Sequence, residues 1–394
     1  MSNSHRVTLA SFLAYFVMSG MLAPIGIISG PMAELFDKSI TDVTAQFSWL
    51  TVGNLCGAAA ALFVFDFVRL RALTIAVYAL IVVCLLSLNA ANELTTIGIA
   101  LGIVGLCSGL GLASAALAIS RLYDAERRAS MLVITDASFS TAGYTCAIIA
   151  TALVAAGVSW AGTYQFVALV AALIVMLALL SRFPDVDTNF DANVDASAAT
   201  QTAESTDTST WPASVWLCVV ALFLYTLGQY SMLWWLPNYT ETQLGASVEE
   251  AGRLVTRFWQ GLFVAQLFVA WWVMRIGVRR LVSISAIATC LCSVPLWAFA
   301  NVSSLAVFAL LWGFANLSLL KVVLSFATQL VRVPTPRLVS SLLLGATLGT
   351  AVSPWVTSHI VEATSNYTIL QFSTACYALL AVLLLIALRR TPAA

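Results

Sequence analysis

The chain has 394 residues, of which 61% are hydrophobic and only 9% are charged, and its 18 basic residues balance its 18 acidic residues. With a mean hydropathy of +0.95, this composition excludes an ordinary water-soluble domain and indicates an integral membrane protein. The zero net charge says little about partners, whereas the placement of the charges along the chain is informative.

Apolar segments of membrane-spanning length follow one another along the whole chain. A helix needs about 20 residues to cross roughly 30 Å of hydrocarbon, and backbone amides in lipid must be paired within the segment. Barrel strands would instead be short and alternating. We therefore predict an all-α membrane protein with twelve transmembrane helices, at residues 8–30, 43–65, 72–91, 96–120, 129–156, 160–181, 213–236, 248–274, 281–300, 303–330, 338–361 and 367–388. Gly30-Pro31 is interpreted as the break that ends the first helix.

The basic residues lie at alternate helix ends, which predicts the orientation. Fourteen of them follow this pattern: Arg6, Arg69, Arg71, Arg121, Arg127, Arg128, Arg182, Arg275, Arg279, Arg280, Arg332, Arg337, Arg389 and Arg390. The positive-inside rule then places both termini in the cytoplasm, for a multi-pass protein of the bacterial inner membrane. The first apolar segment lacks a small-residue cleavage site, so we expect no cleaved signal peptide.

One stretch differs in composition from the rest. Residues 183–210 read "FPDVDTNFDANVDASAATQTAESTDTST", which is acidic, polar and without aromatic residues after Phe190. This composition is typical of a flexible linker. The sequence therefore predicts six helices in residues 1–182, a cytoplasmic linker at 183–211 and six helices in residues 212–394.

The two halves resemble each other at a shift of 208 residues. The matches are the capping-box patterns "SITD" at Ser39 and "SVEE" at Ser247, and the pairs Gly20 and Gly228, Gly53 and Gly261, and Arg71 and Arg279. A shared register over a cap, two glycines and a basic loop favours an internal repeat. Two parallel six-helix repeats typically surround a site near the middle of the bilayer.

The loops that follow the second helix of each half resemble a motif of the major facilitator superfamily, G-x-x-x-D-R-x-G-R-R. Asp66 and Arg71 occupy an acidic and a basic position of the first copy, and Arg275 and Arg279 belong to the second. The segments "RASMLVITDASFSTAG", "YTLGQYSMLWWLPNY", "AGRLVTRFW" and "VRVPTPRLV" resemble the TsgA group, near the fucose permease (FHS) branch. This resemblance implies the twelve-helix major facilitator fold and gating roles for Asp66, Arg71, Arg275 and Arg279.

A single lysine interrupts the tenth apolar segment, in "ANLSLLKVVLSFATQ". Lys321 lies 11 residues before Arg332, which corresponds to about 16 Å from the helix end, and the chain has only one other lysine. Because a charge at this depth costs at least roughly 2.5–3.5 kcal/mol, we expect Lys321 to face a hydrated cavity or a partner. The alternative is that it pairs with a buried carboxylate and only locks two helices together.

Arg257 is predicted to be a second deep cation, about 15 Å from the cap at Ser247. Its guanidinium can grip a carboxylate, sulfonate or phosphate with two hydrogen bonds. The alternative is that the side chain extends toward the outer surface. Arg257 and Lys321 together predict a cationic chamber for a small organic anion. Asn54, Gln229, Tyr230, Trp259, Gln260 and Asn316 are the other predicted lining residues.

Asp136 is the candidate for proton coupling. It lies eight residues after Arg128, around 12 Å into the membrane, where burial and nearby cations can adjust a carboxyl pKa. A structural role, with Asp136 bound to neighbouring hydroxyls or to arginines of the gate, is the alternative.

The sequence thus predicts a secondary active transporter that takes up a small organic anion, of the carboxylate or sulfonate type, together with protons across the cytoplasmic membrane. Three alternatives stay open: a proton-antiport exporter of a small metabolite, drug or toxic oxyanion, a sugar-type proton symporter, and a transporter-like receptor or assembly protein that moves nothing. No enzymatic activity, cofactor, metal or nucleic-acid partner is expected. The expected partners are the anionic substrate, protons and the lipid bilayer, and the expected state is a monomer.

Overall fold

The computed structural model describes residues 2–65, 67–123, 125–183, 211–299, 301–316, 319–331 and 336–390, and only the backbone at residues 62, 125–130, 132–133, 136, 270 and 336–337. All regular structure in these ranges is helical. The predicted linker, apart from its first and last residues, lies outside the described residues.

The first half contains seven helices: α1 (Asn3–Leu22), α2 (Ile25–Phe36), α3 (Ile40–Val64), α4 (Leu70–Ser87), α5 (Leu94–Leu122), α6 (Ala125–Ala155) and α7 (Gly162–Leu179). The second half contains α8 (Ala213–Leu244), α9 (Val248–Ile276), α10 (Val278–Ser293), α11 (Pro295–Ala298), α12 (Val302–Ala315), α13 (Leu319–Thr328), α14 (Pro336–Ala363) and α15 (Asn366–Arg390). Each of the twelve predicted segments coincides with one helix or with two consecutive helices.

Among the described residues, nine helices are long and apolar enough to cross a membrane, or ten when the bent pair α1 and α2 counts as one span. The helices α3 and α9 occupy the two remaining predicted segments with 25 and 29 residues. They have the length to span, but polar side chains such as Gln46 and Arg257 lower their hydropathy. The all-α membrane fold predicted from the sequence is confirmed.

The first span bends earlier than the sequence suggested. The predicted break at Gly30-Pro31 is wrong, because α2 continues through Pro31 to Phe36. The bend of 48° lies instead between Leu22 and Ile25, next to Pro24. A proline removes one backbone donor and its ring clashes with the preceding turn, which accounts for a bend at this position.

The internal repeat is visible in how the helices cross. A Cβ atom added at Gly53 of α3 would overlap the carbonyl oxygen of Gly102 in α5, and one added at Gly261 of α9 would overlap the carbonyl oxygen of Leu310 in α12. The two partner residues, Gly102 and Leu310, are also separated by 208 positions. The two crossings therefore use the same close backbone approach, which a side chain at either glycine would prevent.

The two arginines of the repeat also make equivalent contacts. Arg71 donates from Nε to the carbonyl oxygen of Ala178 and from Nη2 to that of Leu179, at 3.1 and 2.6 Å. Arg279 donates from Nη2 to the carbonyl oxygen of Leu388 at 2.8 Å. Each guanidinium thus binds orphan carbonyls at the end of the last helix of its own half.

The end of the bundle where α1 begins and α7 and α15 finish is called the terminal end. Hydrogen bonds between the halves join Thr51 Oγ1 to the Ala351 carbonyl at 3.0 Å, Ser358 Oγ to the Thr41 carbonyl at 3.1 Å, and Trp234 Nε1 to the Leu22 carbonyl at 3.0 Å. These contacts lie between the middle of the helices and the end of the bundle opposite the terminal end. The halves are therefore closed together on the side away from the termini.

Candidate functional site

A cavity of about 480 Å³ lies between the two halves. The helices α1, α3, α5 and α6 line it from the first half, and α8, α9, α13 and α14 from the second. Its lining extends to Ala116, six residues before the end of α5 at the terminal end. The position between the two repeats and the size suit a small-molecule site.

Lys321 is exposed on the wall of this cavity, next to Leu320. It belongs to α13, whose other face is formed by the buried residues Leu319, Val322, Val323 and Phe326. Because these apolar side chains pack into the second half, the helix presents its only charged residue to the cavity. An ammonium group in this position brings positive charge to a space otherwise enclosed by membrane-spanning helices.

Aromatic rings form much of the remaining wall. Tyr15, Phe139, Tyr225, Tyr230 and Trp259 all line the cavity. The rings of Phe139 and Trp259, which come from different halves, have centroids 5.9 Å apart. The indole of Trp259 lies directly over Gly143 of α6, where a Cβ atom would overlap the ring. This glycine therefore allows α6 and α9 to approach each other at the edge of the cavity.

Several lining residues carry buried polar atoms that have no hydrogen-bond partner within the described part of the chain. They are Asn54 Oδ1, Ser140 Oγ, Gln229 Oε1, Trp259 Nε1 and Gln266 Oε1. Buried polar atoms in folded proteins normally have partners, and the orientation of an amide is assigned from its surroundings, so either end of the three amides can face a ligand. The wall of the cavity thus contains several polar atoms whose hydrogen-bonding capacity is not used within the described part of the chain.

Five of the predicted residues line the central cavity: Lys321, Asn54, Gln229, Tyr230 and Trp259. Three other predicted lining residues lie elsewhere. Arg257 lines a separate pocket between α9 and α12, and its Nη1 atom donates to Gln260 Oε1 at 2.7 Å. Asn316 is fully buried and donates from Nδ2 to the Trp312 carbonyl at 2.7 Å. The expected location of Arg257, Gln260 and Asn316 in the central chamber is corrected accordingly.

The remaining predicted residues concern coupling and gating. The backbone of Asp136 lies in α6, one turn before Ser140 of the cavity wall, and its side chain is outside the described residues. Asp66 is likewise outside them. Arg275 is exposed, with its guanidinium 5.6 Å from the Trp271 ring centroid. The hydrogen bonds described for Arg71 and Arg279 stay within their own halves.

Sequence reasoning missed Tyr15, Phe139, Ser140, Tyr225, Thr226 and Gln266, which also line the cavity. The internal repeat could have identified four further lining residues. Shifting the predicted residues Asn54, Tyr230, Trp259 and Lys321 by 208 positions leads to Leu262, Leu22, Thr51 and Ala113, and all four line the cavity. Apolar and small residues at these positions gave no chemical indication of a site.

Trp234 is buried at the contact between the halves, where its indole donates from Nε1 to the Leu22 carbonyl. Within the described part of the chain, no three His, Cys, Asp or Glu side chains are grouped closely enough to hold a metal ion.

Comparisons with known proteins agree with this architecture. The model of the Major Facilitator Superfamily matches residues 7–252 and 218–394. A relative described as "Protein TsgA homolog" from Edwardsiella ictaluri (strain 93-146) is 24% identical over 376 residues, which cover 95% of this chain and 93% of the relative. The homolog from Yersinia pestis (strain Pestoides F) is 24% identical over 379 residues, covering 96% and 94%.

Two solved structures share the fold over nearly their full length. A D-xylose-proton symporter superposes with a TM-score of 0.74 at 15% identity, covering 99% of this chain and 98% of the symporter. The nucleoside transporter NupG superposes with a TM-score of 0.70 at 14% identity, covering 98% and 99%. At these identities the likeness concerns the fold alone.

Proposed function

The chain belongs to the major facilitator superfamily and is a membrane transporter of its TsgA group, and on that premise we propose that it carries a small organic anion through the central cavity. The observation that supports this most directly is the position of Lys321. It is the one charged side chain among the described residues that line the cavity. In a site enclosed by apolar helices, a carboxylate or sulfonate is the group that an ammonium ion favours most.

The surrounding groups suit the rest of such a substrate. The rings of Tyr15, Phe139, Tyr225, Tyr230 and Trp259 offer flat apolar surfaces, and the amides of Asn54, Gln229 and Gln266 offer donors and acceptors. Ligand sites commonly combine an apolar lining with a few polar groups that fix the orientation. The substrate that we propose therefore has one negative charge, further polar groups and a compact apolar body.

Proton-coupled uptake across the cytoplasmic membrane is the direction that we propose, with both termini in the cytoplasm. Import of an anion opposes a membrane potential that is negative inside, so at least one cation must move with it. Asp136 remains the candidate proton carrier, because its backbone stands one turn from Ser140 on the same helix. The halves would then alternate between this arrangement and one that is closed at the terminal end.

Uptake into proteoliposomes tests the proposal. A panel of radiolabelled carboxylates and sulfonates is offered with and without an inward proton gradient, together with uncharged sugars as a comparison. We expect an anion to accumulate with the gradient, and K321Q to reduce its uptake by roughly tenfold or more, since hydrogen bonds to charged groups contribute about 1.5–3 kcal/mol. K321R should retain part of the uptake.

The other lysine of the chain provides the matched control. Lys38 is exposed at the end of α2, away from the cavity, so K38Q should transport like the unmodified protein. Anion uptake that is unaffected by K321Q, or a complete absence of anion uptake in all arms, would contradict the proposal.

An uncharged polyhydroxylated solute is the second candidate. It is favoured by the five unpartnered polar atoms and the aromatic wall, which fit hydroxyl groups and the flat face of a sugar ring. Sugar uptake that is insensitive to K321Q would support this candidate. Export in place of import would appear as substrate efflux driven by an inward proton gradient.

A further inference from the structure

A second pocket, of about 430 Å³, lies between α9 and α12 and shares no lining residue with the central cavity. Glu250, Arg253 and Arg257 line it from α9, and Val302, Ser303, Ala306, Val307 and Leu310 line it from α12. Its lining comes from residues 250–257 of α9 and residues 302–310 of α12. We refer to it as the α9–α12 pocket.

The pocket results from the way in which these helices cross. Their backbones meet at Gly261 and Leu310, and again at Gly313 and Phe258, where added Cβ atoms would overlap carbonyl oxygens. The N-terminal ends of both helices lie at the end of the bundle opposite the termini. The α9–α12 pocket lies on the N-terminal side of this contact, and Leu310 belongs both to the contact and to the lining.

Positive charge exceeds negative charge in this pocket. Arg253 is exposed and Arg257 is half-buried. The carboxylate of Glu250 accepts hydrogen bonds from the Ser247 backbone nitrogen at 3.0 Å and the Ser247 hydroxyl at 3.2 Å, as part of the cap of α9. Arg257 uses one of its five N–H donors in the bond to Gln260. The two guanidinium groups can therefore offer several further donors to an anion.

The surface around the pocket is apolar and exposed. Val307 on its wall is 57% exposed, and Leu311, one residue after Leu310 of the lining, is exposed as well. In a membrane protein, exposed side chains of this kind contact lipid chains. The arginines thus lie beside lipid, where a charge without an anionic or aqueous partner is costly.

We propose that the α9–α12 pocket binds the phosphate of a phospholipid headgroup in the leaflet opposite the termini. The planar fork of Arg257 matches two oxygens of a phosphate, and Arg253, one turn closer to the helix end, contacts the same group from above. The acyl chains run along Val307 and Leu311. Hydrogen bonds between a guanidinium group and a phosphate are charge-assisted and roughly twice as strong as neutral ones. This assigns to Arg257 a lipid-binding role, separate from substrate transport.

Lipid binding to the purified full-length protein tests this inference. The protein in detergent is titrated with dioleoyl phosphatidylglycerol, with dioleoyl glycerol, which lacks the phosphate, and with glycerol 1-phosphate, which lacks the chains. Bound lipid is counted by native mass spectrometry. We expect retention of phosphatidylglycerol only, and a loss of at least tenfold in its apparent affinity for the R253Q/R257Q variant.

Two further variants separate the site from general effects. R389Q/R390Q removes two exposed arginines at the terminal end and should bind phosphatidylglycerol like the unmodified protein. R253K/R257K keeps both positive charges and so controls for a folding defect caused by their loss. It should recover part of the affinity for phosphatidylglycerol. The inference fails if R253Q/R257Q retains the lipid fully, if dioleoyl glycerol binds equally well, or if glycerol 1-phosphate saturates the site, which would make it a site for free anions.

Discussion

Trp259 shows how the central cavity holds one polar group in a fixed orientation. Its indole is fully buried against Gly143, and its ring centroid lies 5.9 Å from that of Phe139 and 5.4 Å from that of Phe258. Aromatic contacts on several sides leave the ring little freedom. Its Nε1 donor, which is buried and has no acceptor among the described residues, is therefore held in one orientation in the cavity wall.

The substitution W259F keeps most of the ring and removes this donor. If the substrate accepts a hydrogen bond from Nε1, we expect its KM to rise by roughly tenfold with little change in protein stability, since such bonds contribute about 1–3 kcal/mol when the partner is left buried. Concentration-dependent uptake in proteoliposomes measures the change. Trp235 is the control, because it is equally buried, also has an unpartnered Nε1 and does not line the cavity. An equal effect of W235F would contradict the assignment.

Lys321 and Arg257 illustrate which features of a site a sequence can predict. Both were predicted to be deep, because depth follows from counting residues along a helix. The direction in which each side chain points also depends on the packing of the helix. On α9 the cavity is lined by Trp259, Leu262 and Gln266, and a residue two positions before Trp259 is rotated by about 200° from it. Arg257 therefore faces away from the cavity, toward α12.

At the scale of helices, the contacts of α3 with α5 and of α9 with α12 depend on glycine. Gly105 of α5 and Gly313 of α12 are related by the repeat, and a Cβ atom at either would overlap a carbonyl oxygen of the partner helix. Backbone approach of this kind is typical of helix pairs in membranes, where small residues permit close packing. The crossing of α3 and α5 has two further glycines of this kind, Gly57 and Gly109, so it contains four, whereas the crossing of α9 and α12 contains Gly261 and Gly313.

We expect G261A to lower the apparent melting temperature of the protein in detergent, because the new methyl group must displace the Leu310 carbonyl. Overpacking of this kind costs roughly 1–3 kcal/mol. A thermal unfolding assay measures the shift. G102A is the matched control, since an added Cβ atom there meets its nearest neighbour, in Trp49, at an ordinary 3.7 Å. Equal melting temperatures for G261A and G102A would show that the helices can separate at no cost.

The positions of the helices were predictable, and their interruptions were less so. Length and apolarity defined all twelve segments, because a membrane imposes one helix length on every span. The bend beside Pro24 depends on how neighbouring helices support freed backbone groups, which hydropathy does not contain.

At the scale of the whole molecule, the repeat places equivalent positions of both halves on the cavity with different chemistry. Met18 and Thr226, Leu22 and Tyr230, Ala58 and Gln266, and Ala113 and Lys321 are pairs of lining residues separated by 208 positions. In these four pairs the second half has the polar or aromatic member, whereas in the pair Asn54 and Leu262 the polar member belongs to the first half. The repeat thus forms a symmetric space in which the second half supplies most of the binding groups.

This near-symmetry allows the charge to be moved across the cavity. In the double variant A113K/K321A, the ammonium group occupies the equivalent position on α5. We expect uptake of the anion to recover roughly tenfold from the level of K321A, a factor that corresponds to about 1.4 kcal/mol. Proteoliposome uptake by K321A, A113K and the double variant measures this. No recovery in a stably folded double variant would indicate that the position of the charge matters as much as its presence.

The bond from the Trp234 indole to the carbonyl oxygen of Leu22 spans the two halves at the bend of the first span. When the halves separate at that end, the indole and the carbonyl part, and water must solvate both. A buried hydrogen bond is thereby replaced by two hydrated groups in each transport cycle. Since a single hydrogen bond contributes only about 0.5–1.5 kcal/mol net, this exchange is small enough to be reversed at every turnover.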